Sequence, residues 1–377
     1  MNKLRDSTAK RLLFVSGTRA DYGKLEPLAT EAVEAGFRVT FFVTGMHTMS
    51  VYGLTKEEIH RHGGFEVFEF VNHRSSDSMD VIIAKTITCF SDFVNEFSPD
   101  LVVIHGDRAE SLAVAIVCAT NYIRCAHVEG GELSGTIDES FRHAITKLAH
   151  FHFVSNEDAR SRVISLGEKR EHIFLIGSPE MDVHTRREVD LSEVVNRYSI
   201  PADYGVCIFH PVTSELAELE NRTSILINAL KRSERAFVVI LPNNDPGSEV
   251  IVRAINDLPR DKFRILPSMR FSYFSTLLRC AKLIVGNSSS GVREAPFFGT
   301  PSVNIGSRQA NRSSSISITD CPIDDEDIIV GAIEREWGKV YPPDYSFGRG
   351  DAVKKFIATL NSQMWNANLQ KAFQDAR

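Results

Sequence analysis

The fold is decided in residues 101–132, LVVIHGDRAESLAVAIVCATNYIRCAHVEGGE. Leu101–His105 and Ile123–Val128 are short apolar runs rich in Val and Ile, and Glu110–Thr120 between them is long enough for a helix. Strand, helix and strand in that order require a crossover connection, so the two strands run parallel in one sheet with helices on its faces. Working outward, the same alternation recurs. Candidate strands lie at Leu12–Ser16, Arg38–Val43, Glu66–Val71, Phe151–Val154 and Ile173–Ile176, with helix-like stretches at Lys24–Ala35, Met79–Phe97 and Glu139–Ala149. Met181–Ile200 is charged and polar and carries no strand. A second series then begins with Val206–Phe209, Phe237–Leu241, Phe263–Leu266, Leu283–Val285 and Pro301–Ile305. The expected organisation is α/β: a Rossmann-like domain over 1–181, a linker over 182–200, a second Rossmann-like domain over 201–350, and a helix over 351–377 packing back on the first domain. Two such domains facing each other would leave a cleft lined by strand-end loops.

Composition sets the outer bounds. The 377 residues are 43% hydrophobic and 24% charged, with a formal net charge of −6. That balance argues against nucleic acid or an anionic membrane as a partner, because both call for a basic surface. No apolar run approaches the ~20 residues of a membrane-spanning helix. The six cysteines are scattered without a C-x-x-C pair, the pattern of buried thiols in a reducing compartment, and a cytoplasmic protein without disulfides is expected.

In open parallel sheets ligands sit beyond the carboxyl ends of the strands, so the residues there carry the functional reading. Leu12–Ser16 runs into Gly17-Thr18-Arg19-Ala20-Asp21, where small residues and an arginine opening a helix suit an anion, although a solvated turn arginine would look the same. Leu101–His105 delivers Gly106-Asp107-Arg108, and Ile123–Val128 delivers Glu129-Gly130-Gly131-Glu132. Adjacent parallel strands thus each present a carboxylate beside a glycine, and Asp138 follows shortly. Carboxylates crowded into one pocket have their proton affinities pushed apart, which separates acid from base. Taken singly, Asp138 reads equally well as a helix cap. In the second series, His210 ends a strand before Pro211, and Gly286-Asn287-Ser288-Ser289-Ser290-Gly291 precedes a helix with Glu294 inside it. Such a loop offers donors to a diphosphate, and Glu294 could accept both hydroxyls of a ribose. The histidines lack metal-site spacing, and neither a metal nor a cofactor is expected.

Taken together, several of these segments resemble the UDP-N-acetylglucosamine 2-epimerase family, in particular its hydrolysing branch, which starts sialic acid synthesis. The matching pieces run in order from Gly17-Thr18-Arg19-Ala20-Asp21-Tyr22 through His105-Gly106-Asp107-Arg108, His127-Val128-Glu129-Gly130-Gly131-Glu132, Ser134-Gly135-Thr136-Ile137-Asp138 and Arg142-His143-Ala144-Ile145-Thr146-Lys147. They continue through His210-Pro211-Val212-Thr213 and Gly286-Asn287-Ser288-Ser289-Ser290-Gly291-Val292-Arg293-Glu294 to Gly306-Ser307-Arg308-Gln309. The resemblance implies a glycosyltransferase-B-like fold and the conversion of UDP-GlcNAc and water to N-acetylmannosamine and UDP through a 2-acetamidoglucal. It implies Asp107 as the base at sugar C2, Glu129 and Asp138 in proton delivery and hydration, and His210 at the diphosphate. Arg19, Ser288 and Ser289 would then hold the phosphates, Glu294 the ribose, and Asn243 with the Met269 backbone the uridine side, with Ala20 a further substrate-binding residue. Arg108 and Arg308 are further site residues, and a homo-oligomer, dimer or tetramer, is expected by family analogy. Three other readings stay open: the same chemistry on UDP-2,4-diacetamido-2,4,6-trideoxyglucose, a non-hydrolysing epimerase, and a UDP-sugar-binding protein without catalysis.

Overall fold

A computed structural model describes residues 9–50, 54–72, 74, 77–134, 137–186, 189–242 and 246–375, with nothing said of the side chains of Thr213 and Gln363. The chain divides into two compact units, Met1–Val183 with Gly348–Arg377, and His184–Phe347.

Among the described residues the first unit carries seven strands: β1 (Arg11–Ser16), β2 (Arg38–Val43), β3 (Glu66–Glu69), β4 (Leu101–His105), β5 (Cys125–Val128), β6 (Phe151–Val154) and β7 (Ile173–Leu175). Their order across the sheet is β3-β2-β1-β4-β5-β6-β7, and every neighbouring pair is parallel. Continuous apolar runs are what a sheet covered on both faces demands. Alternate residues divide between the faces. Leu12, Phe14, Phe41 and Val103 pack with Leu25, Leu28 and Phe356 on one side. Leu13, Val15, Phe42 and Val102 pack with Phe90, Val94 and Val114 on the other. The Ala352–Leu360 helix joins the first of these layers through Val353, Phe356 and Leu360. Its first turn is held by Asp182, whose carboxylate accepts from the backbone N–H groups of Ala352 (3.0 Å) and Val353 (3.1 Å).

The second unit carries β8 (Gly205–Ile208), β9 (Phe237–Ile240), β10 (Phe263–Leu266), β11 (Ile284–Gly286), β12 (Ser302–Ile305) and β13 (Ile318–Cys321). They are ordered β10-β9-β8-β11-β12-β13, again parallel throughout. Each unit is therefore a doubly wound Rossmann-like sheet, with the strand order reversing between β1 and β4 in one and between β8 and β11 in the other. β13 was not anticipated from the sequence. Ile318-Thr319-Asp320-Cys321 is half polar, as an edge strand paired to β12 alone can be.

Residues 182–200, expected as a linker, are largely helical. The Leu191–Tyr198 helix places Val194 beside Val189, Ile200 and Tyr204 in a core cluster of the second unit. The outer face of that helix is charged, which hid its apolar stripe. Among the described residues no helix is long and apolar enough to cross a membrane.

Candidate active site

In the first unit the reversal of strand order places the ends of β1 and β4 side by side, with β5 next. Thr18 caps the Arg19–Glu34 helix, its hydroxyl accepting from the Asp21 N–H at 3.2 Å. Asp21 and Lys24 stand three residues apart and share one helix face. That face meets the last residue of β4, His105, and the first residue beyond β5, Glu129. His105 Nδ1 lies 3.2 Å from an Asp21 oxygen, and Nε2 lies 3.1 Å from Glu129 Oε2. Lys24 Nζ reaches the same Glu129 oxygen at 2.8 Å and Glu180 at 3.1 Å. Ser178 donates to Glu129 Oε1 at 2.5 Å. Asp21, His105, Glu129 and Glu180 are all buried.

The turn that presents Glu129 is unusual backbone. Glu129 itself has φ 61°, a left-handed conformation costing a residue with a side chain ~1–2 kcal/mol. Gly131 follows at φ 81°, where a Cβ would stand 2.4 Å from the Ala159 carbonyl oxygen. The histidine within β5 serves a different purpose. His127 Nε2 donates to the Gly106 carbonyl at 2.7 Å and Nδ1 accepts from Thr146 at 3.1 Å. Burial pushes its pKa down to about 3, so it is neutral and ties the turn after β4 to the helix carrying Asp138.

Asp107 faces another set of partners. Its carboxylate is ion-paired with Arg142, whose guanidinium also donates to the Glu132 carbonyl at 2.9 Å and the Ser134 hydroxyl at 3.3 Å. The Asp107 side chain keeps 24% of its surface exposed, whereas Glu129 keeps 5%. Arg108 bonds Glu110 at 3.3 Å. Burial works against the charged form of Arg108, but Glu110, Asp21 and Asp138 nearby hold its pKa above the ordinary value. Asp138 thus belongs to the same electrostatic neighbourhood and sits in the first turn of the Ile137–Leu148 helix. Arg19 is exposed and paired with Glu58 at 2.7 Å, and Ala20 beside it is exposed.

In the second unit, Asn287 locks the ends of β8 and β11 together. Its Oδ1 accepts from the His210 N–H at 2.7 Å and its Nδ2 donates to the His210 carbonyl at 2.8 Å. The Asn287 carbonyl in turn accepts from Arg308 at 3.0 Å and Gln309 at 3.1 Å. His210, Asn287 and Arg308 are thereby brought together. Gly286 (φ 133°) allows this approach, since a Cβ there would meet the Ile208 carbonyl oxygen at 2.0 Å. Ser288 caps a one-turn helix, Ser289–Val292, which breaks at Arg293 before a second short helix, Glu294–Phe298. Glu294 therefore opens a new helix rather than lying inside the first, and it is buried. Met269 is partly buried against the core cluster that contains Tyr273 and Phe274, and Asn243 lies outside the described residues.

Comparison with known proteins adds the family. The model described as UDP-N-acetylglucosamine 2-epimerase matches residues 31–361. A UDP-N-acetylglucosamine 2-epimerase of Neisseria meningitidis serogroup B is 42% identical over 97% of this chain and 99% of its own. A Legionella pneumophila UDP-N,N'-diacetylbacillosamine 2-epimerase (hydrolyzing) is 34% identical over 86% of this chain and 88% of its own. The chain belongs to the UDP-N-acetylglucosamine 2-epimerase family. Among solved structures, S. aureus MnaA with UDP superposes with a TM-score of 0.80 at 18% identity, covering 97% of this chain and 100% of that one. A Neisseria meningitidis UDP-GlcNAc 2-epimerase bound to UDP-GlcNAc gives 0.79 at 16%, covering 93% and 99%. At such identities these likenesses speak for the glycosyltransferase-B-like fold alone.

Against that family background, the side chains without a role in the reading of the sequence are Asp21, Lys24, His105, Ser178, Glu180 and Arg142. Asp21 and Lys24 carried one signal, their three-residue spacing on a helix that opens at a strand end. Ser178 and Glu180 carried none, because their neighbours in space lie far earlier in the chain, Glu129 for Ser178, 49 positions back, and Lys24 for Glu180.

Proposed function

We propose that the protein is a hydrolysing UDP-N-acetylglucosamine 2-epimerase, converting UDP-GlcNAc and water to N-acetylmannosamine and UDP. The observation that carries this reading is the pair of carboxylates delivered by adjacent strands, each with its own cation: Asp107 with Arg142, and Glu129 with Lys24. A base at sugar C2 must be ionised and reachable, and Asp107 is the more exposed of the two. In the first half-reaction Asp107 takes the C2 proton, the C1–O bond breaks with its electrons going to the diphosphate, and a C1=C2 double bond forms. His210, Arg308 and Ser288 with Ser289 stabilise the departing UDP, and Glu294 holds its ribose. Water then adds, hydroxyl to C1 and a proton to the opposite face of C2, with Glu129 and Asp138 relaying protons. The hydrolysing branch is favoured by relatives at 34% and 30% identity whose names carry that word.

Incubating the purified protein with UDP-GlcNAc alone in heavy water and following it by NMR tests the proposal. Free UDP and N-acetylmannosamine with deuterium at C2 are expected. UDP-N-acetylmannosamine would make the protein a non-hydrolysing enzyme, and unchanged substrate would sink the activity on this sugar. Those two relatives are named for a diacetamido sugar, so a second reading keeps the chemistry and moves the substrate to a UDP-2,4-diacetamido-2,4,6-trideoxyhexose. A higher kcat/KM on that nucleotide sugar would select it.

A further inference from the structure

His105 is buried with a carboxylate on each ring nitrogen, Asp21 on Nδ1 at 3.2 Å and Glu129 on Nε2 at 3.1 Å. A neutral imidazole has one N–H and would set a lone pair against one of these anions; only the doubly protonated ring donates to both. The charges around it favour the same state. Asp21 and Lys24 reach it from the Arg19–Glu34 helix, Glu129 from the end of β5, and Glu180 reaches Lys24 from the start of the Pro179–Arg186 helix. Arg108, beyond β4, acts on Asp21 and also faces Glu110 and Asp138. The neighbouring rings add no charge, since burial pushes His47 down to about 4 and His127 to about 3. Burial alone would lower the affinity of His105 for its second proton, but bonding to the two carboxylates raises it above the ordinary value.

We propose that His105 is a positioning residue of the reaction: as an imidazolium clamped between Asp21 and Glu129, it fixes the Glu129 carboxylate in place and keeps it ionised. Asp21 is the second half of the device, since it holds the proton on Nδ1. Glu129 Oε2 takes Lys24 and His105 and Oε1 takes Ser178, so the carboxylate is oriented before any substrate arrives. The inference rests on the epimerase reading for the word reaction, and on the geometry for the protonation state.

The test uses the full-length protein, His105→Gln and Asp21→Asn, with kcat and kcat/KM for UDP-GlcNAc measured from pH 5 to 9.5. Losing a cation beside a carboxylate raises its pKa by about one unit or more, so H105Q should move the acid limb of kcat/KM upward by about that much. In D21N the ring gives up its second proton more easily, so activity should fall at lower pH on the alkaline side. A merely structural role would lower activity at every pH with both limbs unmoved, and that result overturns the proposal. D21N keeps the ring and changes one atom, so it carries the test if H105Q does not fold. Nitrogen-15 NMR of histidine-labelled wild-type protein should show one doubly protonated ring at pH 8 that titrates in D21N; no such ring at pH 7 is equally fatal. Failure of the wild type to turn over UDP-GlcNAc would strike the functional reading, while the NMR result would still judge the state of His105.

Discussion

The two units share a strand order and part company at the strand ends. Beyond β1, β4 and β5 the first unit gathers buried charge: Asp21, Lys24, His105, Glu129 and Glu180 in one network, and Asp107 with Arg142 beside it. Beyond β8 and β11 the second unit offers a frame of amide hydrogen bonds, in which the Asn287 side chain holds the His210 backbone and the Asn287 carbonyl accepts from Arg308. The topology supplies a location in both cases, and side chains decide its use. Proton transfer to and from carbon needs ionised groups whose affinities are set by opposite charges. Grasping a diphosphate needs donors held still. If this division is correct, substitutions in the first unit should change turnover, and those in the second should change affinity.

The sharpest way to break the comparison is Asp107→Asn. It keeps the shape and removes the proposed base, so kcat should fall by about 10³-fold or more, while UDP affinity measured by calorimetry stays within a few-fold. Normal turnover in D107N would remove Asp107 from the chemistry. A large loss of UDP affinity would instead blur the division between the units.

A second prediction concerns the scaffold of the first unit. Phe356 is fully buried, with ring centroids 4.8 Å from Phe153 and 6.4 Å from Phe14. Phe356→Ala should cost about 3–5 kcal/mol, seen as a lower urea midpoint with an unchanged slope. A shift within experimental error would mean that the C-terminal helix contributes little to the sheet it covers.

How much of this was legible beforehand follows from how local each feature is. Among the described residues, twelve of the thirteen strands fall on stretches expected from the sequence, most of them apolar runs, because a sheet covered on both faces needs little else from its sequence. β13 escaped because an edge strand tolerates Thr319 and Asp320. At the site, Asp107, Glu129 and His210 announced themselves as polar residues ending apolar runs. The pairings did not. Arg142 on Asp107 and Ser178 on Glu129 are fixed by helix packing and strand order, and no spacing in the chain encodes them. The helix expected to carry Glu294 proved to be two short ones, since the break at Arg293 (φ −115°, ψ −59°) is a backbone event that serine-rich composition does not advertise.

Asn287→Ala sharpens the second half of the comparison. It removes two hydrogen bonds to the His210 backbone and leaves a buried donor and acceptor unmatched, at a cost of about 1–3 kcal/mol. With His210 released, UDP should bind about tenfold more weakly, equivalent to about 1.4 kcal/mol, with kcat less affected. A fall in kcat at unchanged affinity would reverse the roles assigned to the units.

The smallest expected effect is one of pH. His127 is fully buried and neutral, with its pKa pushed from 6.5 down to about 3. Between those values the unfolded chain binds the proton that the folded chain refuses, so stability rises with pH across this window and is lost as pH falls from 6.5 towards 3. At pH 5 the loss from this one group is about 2 kcal/mol relative to neutral pH. His127→Gln can still donate to the Gly106 carbonyl and has no such proton to refuse. Its urea midpoint, though lower at pH 7, should therefore decline less steeply than the wild type's between pH 6.5 and 5. Parallel declines would mean that the ring accepts its proton in place, and the tie between the turn carrying Asp107 and the helix carrying Asp138 would then need a charged rather than a neutral histidine.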